Sequence, residues 1–318
     1  MDNFYHVNFL GENATDAGGP YRETLAQYCE ELHSTQLPLL LPTSNSQHNV
    51  GAGREKWILN PGARTATLLQ MFEFLGKLMG VVLRSKQYLS LNIASMIWKK
   101  LVGEKLHIDD LAAVDSMIVN SMTKMRTIDA YGVTEEMFED IVLETFTTHS
   151  SDNRVVALKP EGQSIAVTFA NRCEYADLVE QYRLQEFNLQ IAALLRGISK
   201  VVPAKLLSCF TGIELELMVC GTPEIDVDLL AKCTESRLPA NEKEFPQFFK
   251  LQSFSKAQPG RSMDAYLPIS HTCFFSVEMP IYSSEQVLRE KLLYAIYNCQ
   301  EIDGDGDSVA ANQLGWEE

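Results

Sequence analysis

One cysteine stands in a setting suited to covalent chemistry. The segment Leu267 to Phe275 reads LPISHTCFF, which puts Cys273 just after a loop and at the start of a short β-rich run. A cysteine so placed can be held rigidly and still be reached. The thiolate is its reactive form, so the site needs something that favours charged sulfur. His271, two residues earlier, could do so electrostatically. On an extended strand the two side chains project from one face, although their tips need not meet. Thr272 could orient a carbonyl or hydrogen-bond the sulfur. Free cysteines are commonly core residues, so a buried structural thiol is the competing reading. A thiol protease is a third reading, since His, Asn and Asp occur elsewhere in the chain, although none is singled out as the base.

The elements around Cys273 follow from spacing and punctuation. Phe248 to Phe254 and Cys273 to Met279 read as strands, and Pro280 ends the second. Ser283 with Gln286 three residues on predicts a capping box. The helix it opens carries Val287, Leu288, Leu292 and Ile296 on one side. Upstream, Gly11 to Pro20 reads as a loop before a helix at about Arg22 to Leu32. Leu37 to Pro61, with Pro38, Pro42 and Pro61, reads as mostly irregular. Ala66 to Leu83 is helical by the spacing of Leu68, Leu69, Phe72, Leu75, Leu78 and Met79. Leu91 to Leu101 and Asp109 to Met125 predict further helices. Val155 to Leu158 and Ile165 to Phe169 are short β-rich runs around a Lys159-Pro160-Glu161-Gly162 turn. A single long helix is then expected from Glu174 to about Val201, stopped by Pro203. The architecture is therefore α+β. Its first part (1–235) is large and mainly helical, with a small β insert at about 140–200. The second (236–300) is small and α/β, and an acidic tail (301–318) follows, expected to be disordered.

Composition narrows the partners. The chain has 318 residues, a hydrophobic fraction of 46% and a formal charge of −15. Such an acidic protein repels phosphate backbones, which argues against nucleic acid. The most apolar run, Phe72 to Leu83, is short for a membrane span and is interrupted by Lys77. The seven cysteines, Cys29, Cys173, Cys209, Cys220, Cys233, Cys273 and Cys299, stand singly without a CxxC pair. That argues against zinc and for free thiols in a reducing, cytoplasmic compartment.

LPISHTCFF resembles the active-site signature of HECT-type ubiquitin ligases, L-P-x-[AS]-H-T-C-F. Four further segments resemble the family in the same order. They are Gly11-Glu12 with Asp16-Ala17-Gly18-Gly19 and Arg22-Glu23; Phe74 to Gly80; Leu158 to Tyr175; and Glu214 to Gly221. The likeness runs over about residues 7–300, and its text is most similar to the large HERC group, whose members carry RCC1-like repeats. The resemblance implies a bilobal domain. An N-lobe docks a ubiquitin-charged conjugating enzyme, and a C-lobe carries the cysteine that accepts ubiquitin as a thioester and passes it to a substrate lysine. No metal or organic cofactor is implied. Carried over by position, Cys273 is the nucleophile, and His271, Thr272 and Phe274 shape its loop. The implied partners are the charged conjugating enzyme, ubiquitin and protein substrates. The docking surface is expected in the β insert and its flanking helices, with Ile118, Met122, Leu143 and Val179 as candidates. Core packing is their competing reading.

Two departures from the family pattern stand out. The pattern begins upstream of residue 1. At Thr234-Glu235-Ser236-Arg237-Leu238-Pro239, two family segments adjoin that are elsewhere separated by a hinge and a helical pair. Losing two helices would thin the apolar cover of the small lobe's sheet. Losing the hinge would restrict the swing of Cys273. The alternative to an active transferase is thus a fragment that only binds a conjugating enzyme.

Overall fold

The computed structural model describes residues 7, 19–85, 87–222, 227–232, 235–236, 250–271 and 276–298. It is an α+β protein that divides into two compact units, one of residues 28–221 and the other of 1–27 with 222–318. The division falls within the first helix, α1 (Gly19–Leu32).

In the 28–221 unit, β1 (Leu40–Pro42) and β2 (Trp57–Leu59) pair antiparallel, Leu40 opposite Leu59. Between them lies a one-turn helix, α2 (Ser44–Gln47), capped by the Thr43 hydroxyl. This stretch is thus more ordered than its prolines suggest. The reason is Asn45, which is fully buried. Its amide donates to the carbonyls of Ala52 (2.9 Å) and Ala112 (3.0 Å), and its carbonyl accepts from the N–H and hydroxyl of Ser116.

α3 (Ala66–Ser85) buries Phe72, Leu75, Leu78, Met79 and Val82. By length and composition alone it could cross a membrane. Here it is a core helix, laid against a later helix through glycines on both. α4 (Ser95–Val102) buries Trp98 and closes on Gly103 in the left-handed region. The single helix expected over Asp109 to Met125 is two, α5 (Ile108–Ala112) and α6 (Ser116–Arg126). Asp115 separates them, its carboxylate accepting the Ile118 N–H at 3.1 Å as the N-cap of α6.

α7 (Glu135–Ile141) leads into the hairpin β3 (Thr147–His149) and β4 (Val155–Ala157). Ile165 to Phe169, expected as a strand, makes only an isolated bridge from Ala166 to Thr145 after a 3₁₀ turn at Gly162–Ser164. The helix expected over Glu174 to Val201 is also two, α8 (Arg172–Gln185) and α9 (Asn188–Ile198). The break has a tertiary cause. The Glu186 carboxylate accepts the N–H and hydroxyl of Ser151 (2.9 and 2.7 Å), which holds the junction and buries Phe187. α10 (Gly212–Cys220) opens with a capping box of Thr211 and Glu214.

The other unit contains α11 (Val227–Lys232) and a four-stranded mixed sheet. Its strands are β5 (Glu235–Ser236), β6 (Lys250–Ser253), β7 (Ile269–His271) and β8 (Ser276–Met279) in the order β5-β6-β8-β7. α12 (Glu285–Asn298) follows. Its cap is Ser284, whose hydroxyl accepts the Val287 N–H, in place of the expected Ser283–Gln286 box. Ser283 instead donates its N–H and hydroxyl to Asp264 (2.8 and 2.5 Å), and Gln286 donates to Glu290. The expected acidic tail lies outside the described residues.

Candidate active site

The sequence places the candidate nucleophile between β7 and β8. Cys273, with Thr272 and Phe274, lies outside the described residues. The frame on either side is described. β7 and β8 run antiparallel with His271 opposite Ser276 and Ile269 opposite Glu278. β8 runs parallel to β6, Ser276 beside Lys250 and Glu278 beside Gln252. Residues in register share a face, as do residues two apart. His271 and Glu278 are therefore diagonal neighbours on one face, a separation that long side chains can span.

They do span it. His271 Nε2 lies 3.0 Å from Glu278 Oε1. Glu278 Oε2 also accepts the N–H and hydroxyl of Ser255, at 2.8 and 2.7 Å. These Ser255 bonds, with the His271 contact, hold the Glu278 carboxyl below its usual range. Ser276, opposite His271, is buried. Further contacts brace the sheet's surroundings. The Phe254 and Tyr266 rings sit 4.9 Å apart, and the Tyr282 hydroxyl donates to the Tyr266 carbonyl at 3.1 Å. Burial pushes Tyr282 up to about 12, so its hydroxyl keeps the proton that it donates to Tyr266.

Of the other cysteines, Cys29 and Cys220 are poor nucleophiles. Burial pushes their thiols up to about 11 and about 12. Among the described residues no group of three His, Cys, Asp or Glu is placed to hold a metal ion.

The docking candidates separate by burial. Met122 is 5% exposed and Val179 0%. Both belong to the core that α6, α7, β3 and α8 close around Phe138, Phe146 and Tyr175. They are corrected from docking surface to core, because no partner can reach them. Ile118 is half-buried against the same cluster. Leu143, at 84% exposure, is open to a partner. So are Tyr131, Met137 and Ile141, which the sequence reading passed over. Met137 and Ile141 stand four apart and share one face of α7, while Phe138 fills the core. That split pattern was the available signal.

The family profile described as HECT-domain (ubiquitin-transferase) matches residues 26–259 and again 233–303. The chain belongs to the HECT family. Among its relatives, the E3 ubiquitin-protein ligases HERC2 of Mus musculus and Homo sapiens are each 38% identical over 338 residues, covering 95% of this chain and 7% of theirs. HUWE1 of Mus musculus, also an E3 ubiquitin-protein ligase, is 27% identical over 340 residues, 95% of this chain and 8% of its own. This HECT chain thus spans under a tenth of the length of these relatives. An alignment of 338 columns covering 95% of a 318-residue chain leaves about 36 columns in which HERC2 has residues and this HECT chain has none. The two overlapping profile matches, meeting at residues 233–259, fit a shortening in that stretch.

Proposed function

We propose that this HECT chain forms a ubiquitin thioester on Cys273 and transfers the ubiquitin to a substrate lysine. The observation that carries the reading is LPISHTCFF, whose Ile269–His271 form β7 and whose end directly precedes β8, in a chain that the HECT profile matches over residues 26–259 and 233–303. Sulfur of Cys273 attacks the carbonyl carbon of the thioester on the conjugating enzyme. A new C–S bond forms, the old one breaks, and the conjugating enzyme's thiol is released. A lysine amine then attacks the new thioester, forming an isopeptide bond and freeing Cys273. On this reading the domain is bilobal. The 28–221 unit belongs to the docking lobe, and the β5–β8 sheet belongs to the lobe carrying the cysteine. The partners are a ubiquitin-charged conjugating enzyme, ubiquitin and protein substrates, and the setting is the reducing cytosol.

The total of about 36 columns in which HERC2 has residues and this chain has none favours a second reading, a form that docks the conjugating enzyme without accepting ubiquitin. A single-turnover assay separates the two. The protein is mixed with a ubiquitin-charged conjugating enzyme, with Cys273→Ala beside it. A ubiquitin adduct that reductant removes, absent in Cys273→Ala, supports transfer. Binding of the conjugating enzyme without any adduct supports docking alone.

A further inference from the structure

A cleft of about 440 Å³ opens within the 28–221 unit, between α6 and β3. That size suits a short stretch of peptide. One wall is a face of α6, where Met117, Ser121 and Met125 stand four apart with Ile118 beside them. Met117 is 47% exposed, and thioether side chains adapt readily to a partner. The opposite wall is the run from Thr147 to Ser151, and no residue of β4 takes part. The cleft therefore lies along the outer edge of β3, the edge that β4 leaves open.

The register shows what that edge offers. At the two ends of the hairpin, the Ser150 N–H donates to the Arg154 carbonyl and the Leu158 N–H to the Phe146 carbonyl. Bonded and non-bonded pairs alternate in an antiparallel ladder, so Thr148 exchanges bonds with Val156, and the N–H and C=O of His149 point away from β4. On the same edge the Thr147 carbonyl is taken by the Tyr175 hydroxyl at 3.1 Å. His149 is left with a main-chain donor and acceptor that no described residue engages, and open strand edges of this kind are templates for pairing.

Charge narrows the occupant. Arg183 and Asp115, both lining the cleft, are spent on each other at 2.9 Å. Glu144 also lines it, is exposed, and has no ion pair among the described residues. The cleft thus offers an uncompensated carboxylate beside an apolar wall, in a chain of formal charge −15.

We propose that this cleft docks an extended segment of a partner protein in which apolar and basic side chains alternate. One residue of the segment exchanges both backbone bonds with His149 and extends the hairpin to three strands. Its apolar side chains lie against Met117, Ile118 and Met125, and a basic one meets Glu144. On the transferase reading the partner is a substrate, brought in by a segment of its own. That role rests on the reading of Cys273 as the nucleophile, whereas the docking does not.

The test is fluorescence anisotropy of a short fluorescein-labelled peptide of alternating leucine and arginine, titrated with the full chain. Binding should saturate, and a control peptide with glutamate for arginine should not bind. Glu144→Gln should weaken binding several-fold. His149→Pro removes the outward N–H while the β3–β4 ladder needs none from this position, so it should melt like wild type and bind about tenfold more weakly. His149→Ala should bind normally, since the bonds are main-chain. Should His149→Pro lose its fold, Met117→Gln at an exposed position decides, with several-fold weaker binding expected. Equal binding of the glutamate peptide, or unmoved affinity in folded His149→Pro and Met117→Gln, overturns the proposal. Displacement of the peptide by excess ubiquitin or conjugating enzyme would assign the cleft to that protein and overturn it as well. Anisotropy needs no thioester, so the two readings fail separately. Peptide binding without a ubiquitin adduct sustains the groove and sinks transfer, and an adduct without peptide binding does the reverse.

Discussion

Gly76 and Leu194 meet backbone to backbone where α3 crosses α9. A methyl group at Gly76 would lie 2.9 Å from the Leu194 carbonyl carbon and closer still to its oxygen. Gly197 makes the reciprocal approach to α3, where a Cβ would stand 2.8 Å from the Lys77 nitrogen. Both obstacles are main chain, so no side chain can rotate to make room. Gly76→Ala and Gly197→Ala should each force the helices apart, at a cost of about 1–3 kcal/mol or more. The usual helix-propensity gain of an alanine should not appear. Urea denaturation of each variant against wild type measures this, and an unchanged midpoint would contradict the close approach.

Arg183 is buried between two carboxylates, 2.9 Å from Asp115 and 3.0 Å from Glu186, with a third bond to the Ser151 hydroxyl at 3.1 Å. It ties the N-cap of α6, the end of α8 and the β3–β4 turn to one side chain. Arg183→Met would strand two buried charges, and about 3–5 kcal/mol of stability should be lost. Arg183→Lys should recover only a fraction, because a single ammonium cannot fork between both carboxylates. A lysine variant as stable as wild type would show that charge alone suffices.

These two junctions mark where the sequence stops being readable. α3 and α12 were visible because apolar residues recur at helical spacing, and LPISHTCFF was visible because cysteine and histidine stand so close. The break between α8 and α9 was not. Gln185-Glu186-Phe187 contains neither glycine nor proline, and the chain turns there because Ser151, 35 residues earlier, holds Glu186. Asn45 was hidden in the same way. It reads as one more polar residue in a proline-rich stretch, yet it organises backbone 71 residues away. Met122, Val179 and Leu143 were indistinguishable as apolar letters, since only packing tells a core residue from an open one.

Asp264 accepts the N–H and hydroxyl of Ser283, and these bonds hold its carboxyl below the usual range. A carboxylate whose folded pKa is depressed stabilises the fold above its unfolded value. That contribution is lost as pH falls through the folded value. It should be fully present above about pH 5, start to decline near the ordinary carboxylate value of about 4, and vanish only below the lower folded value. Asp264→Asn removes the charge, so the variant's thermal midpoint should vary less with pH between 5 and 3 than that of wild type. Melting curves of both proteins across that range check it, and parallel curves would show that Asp264 contributes nothing by ionisation.

Docking and packing, which the sequence confounds, can be separated by substitution. Leu143 and Met137 present open side chains, whereas Met122 is enclosed with Phe138, Phe146 and Tyr175. Truncating an open side chain away from special contacts changes stability by no more than about 0.5 kcal/mol. Truncating Met122 should cost about 2–5 kcal/mol, because a cavity remains. If the conjugating enzyme docks on this side of the 28–221 unit, Leu143→Ala and Met137→Ala should melt like wild type. Both should nonetheless take ubiquitin several-fold more slowly at low conjugating-enzyme concentration, and the rate should recover as that concentration rises. Met122→Ala should do the reverse, melting early while the folded fraction transfers normally. Undiminished transfer by both surface variants would move the docking surface elsewhere on the unit. A slowing that persists at saturating conjugating enzyme would place these residues in a later step than binding.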